Sequence, residues 1–288
     1  MVRAGVREGG AARKARERAG AKKKRRLDVL LVERGLAPSR ERAQAVILAG
    51  LVRVDGERVD KPGTQVREDA ALEVVAPAHP YVSRGGLKLE AALRRFRLDV
   101  RGVVALDLGA GTGGFTDCLL QHGARKVYAV DVGRGQLHPK LRADPRVVVL
   151  ERTHARLLGP HLVPEPVDFA CADVSFISLL QALPPVVPLL RPAAPVVALV
   201  KPPFEAGRGV ARRGVVRDPE VHRQVVRKVA WGLEAHGLGA QDVMPSPLRG
   251  DRGNVEFLLL LRKGAPRALD EAGIGRAVAE AHAASVEE

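Results

Sequence analysis

From Gly86 onward, short apolar runs alternate with longer stretches that have helical spacing. Each run has about the length of one buried strand. Five such runs occur in order, namely Val103–Leu108, Val127–Asp131, Val147–Leu150, Val167–Ala172 and Val196–Val200. Strands that alternate with helices are joined by crossovers, which make the strands parallel and put helices on the sheet faces. The pattern predicts an α/β fold with a Rossmann-like sheet and a last strand at Asn254–Leu261.

The preceding segment, residues 26–76, has a different pattern. Its leucines predict a short amphipathic helix, and Ser39 can cap a second helix. Short strands follow, with a tight turn at Asp55-Gly56. We therefore predict a small α+β domain over residues 26–76, a linker over 77–85 and the α/β domain over 86–263. Residues 1–25 are predicted to be a disordered basic tail and residues 264–288 a C-terminal tail.

The charge of the chain indicates a polyanionic partner. Lysine and arginine number 47 against 33 acidic residues, which gives a formal net charge of +14. An excess of this size is typical of proteins that bind nucleic acid or an anionic membrane surface. Because aromatic residues make up only 3% of the chain, phosphate contacts rather than base stacking are expected to dominate RNA binding.

Membrane insertion is not expected, because the longest apolar stretch, Leu179–Leu190, contains three prolines and is too short to span a bilayer. The basic N-terminal segment has no apolar stretch typical of a signal peptide. The two cysteines, Cys118 and Cys171, are too few for a zinc site and do not suggest a disulfide framework. Both lie in apolar stretches, which predicts buried free thiols and a cytoplasmic location.

A glycine-rich loop, Asp107–Gly114, follows the first predicted strand of the α/β domain. It has the spacing of a dinucleotide-binding loop, formed by Gly109, Gly111 and Gly114. It also has the Asp-x-Gly-x-Gly-x-Gly pattern typical of S-adenosylmethionine enzymes, formed by Asp107, Gly109, Gly111 and Gly113. Asp131 ends the next strand, where a carboxylate can bind a ribose diol. A nucleoside cofactor is therefore predicted, with NAD and S-adenosylmethionine both open. The carboxylate of Asp107 favours the cationic methyl donor.

Six segments in a fixed order carry a resemblance to a known family. They are Tyr81–Glu90, Leu106–Asp117, Asp131–Leu137, Asp173–Ser178, Lys201–Glu205 and Gly253–Phe257. Together they resemble the TlyA family of rRNA 2′-O-methyltransferases, also labelled haemolysin A, over about Arg26 to Arg262. The resemblance implies an S4-like RNA-binding domain joined to an FtsJ-like domain that uses S-adenosylmethionine. It implies ribosomal RNA as the partner and a cytidine ribose as the methyl acceptor. Three residues depart from the family pattern, namely Gly111, His154 and Pro203.

The resemblance also implies the site residues. A catalytic tetrad falls on Lys88, Asp173, Lys201 and Glu256. The implied cofactor contacts are Asp107, Gly109, Gly111, Gly113, Gly114, Phe115, Asp131, His154 and Asp173. A basic RNA-binding face is predicted from the arginines of the S4-like domain and its surroundings, namely Arg26, Arg34, Arg40, Arg42, Arg53 and Arg84. No metal is expected.

The positions of the charged residues support the tetrad independently. Asp173 and Lys201 each follow a predicted parallel strand, where open α/β sheets place their sites. Glu256 interrupts an otherwise apolar strand, and a buried charge needs a partner. Lys201 is predicted to act on the ribose hydroxyl. It could do so as a neutral base or as a cation that stabilises developing negative charge.

Two further functional classes remain as alternatives. One is a haemolysin-like, membrane-active protein, which the absence of an apolar span or a strongly amphipathic helix disfavours. The other is an RNA-binding module without catalysis, which the tetrad and the glycine loop disfavour.

Overall fold

The computed structural model describes residues 23–48, 50–75, 79–207, 210 and 214–283. The chain divides into two compact units, with the boundary between Pro80 and Tyr81. Residues 1–22, which make up most of the predicted basic tail, lie outside the described residues. Residues 81–85 were predicted to be linker, but they belong to the second unit. There Tyr81 is buried, and the backbone N–H of Val82 donates a hydrogen bond to the buried Asp117 carboxylate at 2.8 Å.

The first unit is a small α+β domain. Its elements are β1 (Lys24–Arg26), α1 (Leu27–Glu33), α2 (Arg40–Leu48), β2 (Val52–Val54), β3 (Glu57–Val59), β4 (Gln65–Arg67) and β5 (Leu72–Val74). Strand β2 pairs antiparallel with β3 and β5, and β1 pairs antiparallel with β4. Leucines of α1 and Ile47 of α2 form the core with Val52. The sequence did not predict β1, because its three basic, exposed residues look like part of the tail.

The second unit alternates strands and helices from its first helix onward. Its elements are α3 (Gly85–Arg95), β6 (Val104–Leu108), α4 (Gly114–Gln121), β7 (Lys126–Val130), α5 (Pro139–Arg142), β8 (Val147–Leu150), β9 (Phe169–Ala172), α6 (Leu179–Ala182), β10 (Pro195–Val200), α7 (Pro202–Glu205), α8 (Pro219–Glu234), β11 (Leu238–Pro245), β12 (Phe257–Lys263) and α9 (Glu271–Ala283). Short 3₁₀ turns occur at Ala155–Leu157, Pro184–Leu189 and Asp251–Gly253.

The seven strands form one sheet in the order β11-β12-β10-β9-β6-β7-β8. The five predicted parallel strands are confirmed as β6 to β10, whereas β12 runs antiparallel to both of its neighbours. The chain moves outward from β6 to β8 and then returns to the other side of β6 through β9 and β10. Open α/β sheets bind ligands at the carboxyl ends of the strands next to such a reversal.

The C-terminal part of the sheet differs from the prediction. The last strand begins at Phe257 rather than Asn254, and β11 was not predicted. Residues 264–288 were predicted to be a tail, but Glu271–Ala283 forms a helix. This helix buries its small apolar face of Ile274, Ala277, Val278 and Ala281. The face consists mostly of short side chains, which make a weak apolar signal in the sequence.

The prediction of buried free thiols is confirmed. Cys118 and Cys171 are free and buried. The Asp218 side chain caps α8 by accepting a hydrogen bond from the N–H of Glu220 at 2.8 Å, with Pro219 at the first helical position. Within the described part of the chain, no helix is both long and apolar enough to cross a membrane.

Helices α8 and α9 are joined by a pair of histidines. His222 Nδ1 lies 3.0 Å from His282 Nε2, and His222 Nε2 lies 3.2 Å from the carbonyl oxygen of Val216. A carbonyl can only accept, so Nε2 of His222 carries the proton and Nδ1 accepts from His282. Burial, together with the nearby His282 and Arg249, lowers the pKa of His222 to about 4.

The histidine pair predicts an acid-sensitive fold. Because the folded pKa of His222 lies below its ordinary value of 6.5, the unfolded chain binds a proton first. The contribution to stability is complete above about pH 6.5 and is lost as the pH falls toward 4, with a size on the order of 2–3 kcal/mol. Urea unfolding at a series of pH values should therefore show a flatter pH dependence for His222→Gln than for the wild type. The control is His236→Gln, which changes an exposed histidine. Equal slopes for the His222 variant and the wild type would contradict the prediction.

Candidate functional site

A cavity of about 800 Å³ lies in the second unit at the carboxyl ends of β6, β9 and β10. Three loops that follow these strands line it, and each contains residues that the sequence singled out. They contribute residues 109–112 after β6, Asp173 and Ser175 after β9, and Lys201 after β10. Lys88 of α3 and Glu256, directly before β12, complete one wall. The predicted tetrad is therefore brought together at the switch point of the sheet.

The glycine loop contacts the strand end that holds Asp173. Gly109 has a φ of +83°, and a Cβ atom there would lie 2.4 Å from the carbonyl oxygen of Asp173. The backbone N–H groups of Gly109 and Ala110 both donate to the Val130 carbonyl, at 2.8 and 3.0 Å. The residue at position 109 must therefore adopt a left-handed backbone and have no side chain.

Gly113 packs against apolar side chains in the structure. It was expected to contact the cofactor, but it does not line the cavity. A Cβ atom at this position would lie 2.2 Å from Leu141 Cδ1 and 2.8 Å from Leu137 Cδ1, and φ is +95°. Gly113 thus allows α4 to begin close to the apolar residues around α5. Gly114 does line the cavity, and it packs against Ser83 and the start of α3.

Asp107 was also predicted to contact the cofactor, but its carboxylate is fully buried and does not line the cavity. It accepts a hydrogen bond from Thr116 Oγ1 at 2.6 Å, which joins β6 to α4. Burial raises the pKa of Asp107 to about 7, and the nearby charge of Asp173 adds to this effect. The geometry gives Asp107 the task of fixing the helix that follows the glycine loop.

The remaining predicted cofactor residues divide into two groups. Phe115 is buried and lines the cavity. Asp131 braces the loop, since its carboxylate accepts from the N–H groups of Gly111 at 2.8 Å and Gly133 at 2.6 Å. Neither Asp131 nor the exposed His154 lines the cavity. The adenine contact of His154 stays a prediction.

Lys201 and Asp173 form an ion pair, with Lys201 Nζ 2.5 Å from Asp173 Oδ1. Both side chains are mostly buried, at 14% and 24% exposure. Lys201 also donates a hydrogen bond to Ser175 Oγ at 3.0 Å. The contact with Asp173 lacks the alignment of a hydrogen bond, and Asp173 Oδ1 accepts none from the described residues. The attraction is therefore mainly coulombic and leaves this oxygen an acceptor with free capacity.

A second ion pair lies beside the first, with Lys88 Nζ 2.5 Å from Glu256 Oε2. Burial raises the pKa of Glu256, although Lys88 and Lys201 both oppose this effect and Asp173 adds to it. The two pairs therefore act on each other electrostatically. Gly250 leaves the space for the Glu256 side chain, since a Cβ atom at position 250 would lie 2.0 Å from Glu256 Oε1.

Two aromatic residues of the cavity were not predicted as site residues. Phe176 is 90% exposed and has a φ of +65°, which is rare for a residue with a side chain. Its ring lies 5.0 Å from the ring of Phe204, centroid to centroid. Each of the segments 173–178 and 201–205 contains one aromatic residue beside a charged residue of the tetrad, and this was the signal available in the sequence.

Glu205 is a further residue that the sequence did not single out. Its buried carboxylate accepts from Ser178 Oγ at 2.6 Å and from the N–H of Leu179 at 2.8 Å. These contacts tie the loop after β9 to the turn after β10. Glu205 is thus a positioning residue that fixes Asp173 and Lys201 relative to each other through the backbone.

The predicted RNA-binding arginines of the first unit have unequal roles. Arg26 and Arg40 pair with the buried carboxylate of Asp28, at 2.9 and 3.0 Å, and thereby hold its pKa well below the usual range. Arg34 donates to the backbone carbonyls of Glu68 and Ala70. These three side chains stabilise the fold, in contrast to the prediction of a simple basic face.

The other predicted arginines make fewer contacts with the described residues. Arg53 makes only a long contact to the Gly56 carbonyl, at 3.4 Å. Arg42 is exposed and forms no side-chain hydrogen bond or ion pair with the described residues. Arg84, in the second unit, is exposed and lines the cavity.

The contact of Gly109 with Asp173 predicts the effect of adding one methyl group. Gly109→Ala should weaken S-adenosylmethionine binding at least about tenfold, or 1.4 kcal/mol, because the new Cβ atom displaces the Asp173 backbone. Calorimetric titration with S-adenosylmethionine measures this effect. Gly135→Ala is the matched control, since Gly135 also has a positive φ, +68°, but no atom lies within 4 Å of its Cβ position. Equal binding by the two variants would show that the close contact has no role.

Comparison with known proteins assigns each of the two units to a family. Residues 81–263 match the FtsJ-like methyltransferase family, and residues 25–72 match the S4 domain. The 16S/23S rRNA (cytidine-2′-O)-methyltransferase TlyA of Mycobacterium tuberculosis is 49% identical over 88% of this chain and 95% of the relative. Hemolysin A of Brachyspira hyodysenteriae is 40% identical over 81% of this chain and 98% of the relative.

A solved structure from Streptococcus thermophilus has the same fold. It is 43% identical, with a TM-score of 0.73, and the match covers 93% of this chain and 100% of that chain. The family match spans the whole sheet up to β12, including the glycine loop and all four charged residues of the cavity. The chain therefore belongs to the TlyA family, which joins an S4 domain to an FtsJ-like methyltransferase domain.

Proposed function

We propose that this chain transfers a methyl group from S-adenosylmethionine to the ribose 2′-hydroxyl of a cytidine in ribosomal RNA. The observation that carries the proposal is the meeting of the two ion pairs, Lys201–Asp173 and Lys88–Glu256, in the cavity beside the glycine loop. The activity of the relative from Mycobacterium tuberculosis supports cytidine as the target nucleotide and ribosomal RNA as the substrate.

The residues of the glycine loop fit a nucleoside cofactor. The backbone of residues 109–112 faces the cavity, and the Cβ position of Gly111 meets no atom closer than the Gly109 carbonyl oxygen at 4.0 Å. A ligand can therefore approach this backbone closely. The amino end of α4 adds N–H donors at the same place. S-adenosylmethionine supplies a methyl group on a sulfonium, which is already activated for transfer to an oxygen.

Lys201 holds the reacting hydroxyl as a cation. An ammonium group has three N–H donors, and in this site Ser175 takes one while Asp173 attracts the charge from 2.5 Å. A remaining donor is free for the ribose oxygen. A lysine held against a carboxylate favours the role of charge stabiliser over that of neutral base. Of the two roles that the sequence left open, we therefore propose the cationic one.

Asp173 is the proposed acceptor of the hydroxyl proton. Its Oδ1 atom accepts no aligned hydrogen bond from the described residues, but it is buried, so the carboxylate must turn toward the cavity to accept one from the ribose hydroxyl. As the oxygen gains the methyl group, its proton becomes far more acidic, and a carboxylate is then a strong enough base. Alignment of such groups supplies a large part of a rate enhancement, about 7–11 kcal/mol in favourable cases.

Phe176 provides a surface for the target base. Its exposed ring stands at the cavity beside Ser175, and Phe204 supports it from behind. A nucleotide inside a folded RNA must leave its stack before the ribose can reach a cavity of this kind. Stacking on an aromatic ring offsets part of the lost stacking, by about 1–3 kcal/mol per base.

The test of this function is methyl transfer to 16S and 23S ribosomal RNA transcribed without modifications, with mapping of 2′-O-methyl groups. Lys201→Met should lower the turnover about 10²–10³-fold and leave S-adenosylmethionine binding nearly unchanged, because the lysine acts on the hydroxyl. The control is Lys126→Met, which removes another ion-paired lysine at the opposite, amino end of the sheet. Full activity of the Lys201 variant would rule out the mechanism. Absence of any ribose methylation by the wild type would rule out the function.

The first unit is proposed to bind RNA through its freer arginines. Arg42→Met should reduce the salt dependence of RNA binding, by about 0.7–0.9 in the slope of log affinity against log salt, without loss of stability. Arg40→Met should instead lower the free energy of unfolding by about 1–3 kcal/mol, because Asp28 loses a buried partner. Thermal unfolding and RNA titration over a salt series separate the two effects. An unchanged slope for the Arg42 variant would exclude this residue from the interface.

A further inference from the structure

A second cavity, of about 890 Å³, opens next to the catalytic one, between α3, the end of β11 and α9. We call it the α3 groove. Five arginines line it, namely Arg84, Arg94, Arg95, Arg97 and Arg249. Four residues line both cavities, namely Arg84, Leu248, Arg249 and Glu256. The groove is therefore continuous with the place where the ribose must react.

The α3 groove carries a net positive charge. Its acidic lining residues are Glu280 and Glu256, and Glu256 is already paired with Lys88. Arg95 lies 3.3 Å from Asp242, but both side chains are exposed, at 56% and 40%, and such surface pairs are weak. Within the described part of the chain, Arg94 and Arg97 form no side-chain hydrogen bond or ion pair.

Helix capping explains only part of this charge. Arg94 and Arg95 lie in the last turn of α3, where basic side chains interact favourably with the helix dipole. Arg97 lies beyond the helix, with a φ of +54°. Glycine is the usual residue at such a position, since a side chain costs about 1–2 kcal/mol there. An arginine therefore occupies this position on the wall of a basic groove although the backbone conformation there is unfavourable for a side chain.

We propose that the α3 groove binds the phosphates of the RNA strand that flanks the target nucleotide. The inference rests on the proposed function, because it needs a ribose in the catalytic cavity. An RNA strand is the occupant that fits, since its negative charges continue directly from that ribose and the groove continues directly from that cavity. Met244, Pro245 and Leu248 form an apolar side of the groove against which sugars and base faces can pack.

The test compares three proteins with fluorescent oligocytidylates of about two to eight nucleotides. The groove variant replaces Arg94, Arg95 and Arg97 with glutamine and leaves the residues of the catalytic cavity unchanged. The control variant makes the same change of charge at Arg101, Arg125 and Arg191. These three arginines are also exposed, but they precede β6, β7 and β10 and so lie at the opposite edge of the sheet.

We expect wild type and control to gain affinity as the oligonucleotide becomes longer, and the groove variant to gain much less. Its salt slope for the longer oligonucleotides should fall by about 0.7 for each lost phosphate contact, or roughly 2 in total. Its turnover on ribosomal RNA at saturating concentration should equal that of the wild type, with a higher KM.

Equal length dependence and equal salt slopes for the groove and control variants would overturn the groove proposal while leaving the methyl transfer intact. A wild type that binds the oligocytidylates but methylates no RNA would instead overturn the proposed function. An equal loss of affinity for polyglutamate and for RNA in the groove variant would also contradict the proposal, because it would make the groove a general anion surface.

Discussion

The site depends on the close contact between the glycine loop and the end of β9. The carbonyl of Asp173 occupies the space that a side chain at position 109 would need, so the loop and Asp173 are fixed to each other through the backbone. Asp107 adds a second constraint, because its buried carboxylate ties the strand before the loop to the helix after it through Thr116. Glu205 does the same for the segments that hold Asp173 and Lys201. The glycine loop, Asp173 and Lys201 are therefore held in one frame.

Much of the fold could be predicted from the sequence, because buried parallel strands appear as continuous apolar runs and need no partner to be recognised. Asp173 and Lys201 could be singled out for a related reason, since charged residues at the ends of such strands are conspicuous. Their grouping with Lys88 and Glu256 came from the family resemblance. The later elements were harder. Strand β11 has polar residues and a bulge between Ala240 and Asp242, and two of the four residues that α9 buries are alanines, so neither has a strong apolar period. Short β1 and β4 depend on pairing between segments about 40 residues apart, which local pattern does not show.

Residue types could be placed near the site, but their tasks could not be distinguished. A carboxylate beside a glycine loop suits a cofactor and also suits a buried hydroxyl, and in the structure the Asp107 carboxylate accepts from the Thr116 hydroxyl. Arginines of the first unit suit phosphate, yet Arg26 and Arg40 surround Asp28. The roles of Phe176 and Glu205 become visible only from their neighbours in space. Phe176 packs near the ring of Phe204, and Glu205 accepts a hydrogen bond from Ser178. Only the three-dimensional structure shows which polar groups already have hydrogen-bond or ion-pair partners within the protein.

The position of β12 has a consequence for how the protein is made. This strand is the last of the sheet along the chain, yet it lies between β10 and β11, and both of these strands have an open edge until it arrives. During synthesis the amino-terminal parts emerge and fold first. The loop of Gly109 and the pair of Lys201 with Asp173 can therefore assemble while the chain is still growing, whereas Lys88 must wait for Glu256. Until residues 256–263 join the fold, β10 and β11 keep open edges and Lys88 lacks its carboxylate partner, so the closing of the sheet and the completion of the second ion pair are one event.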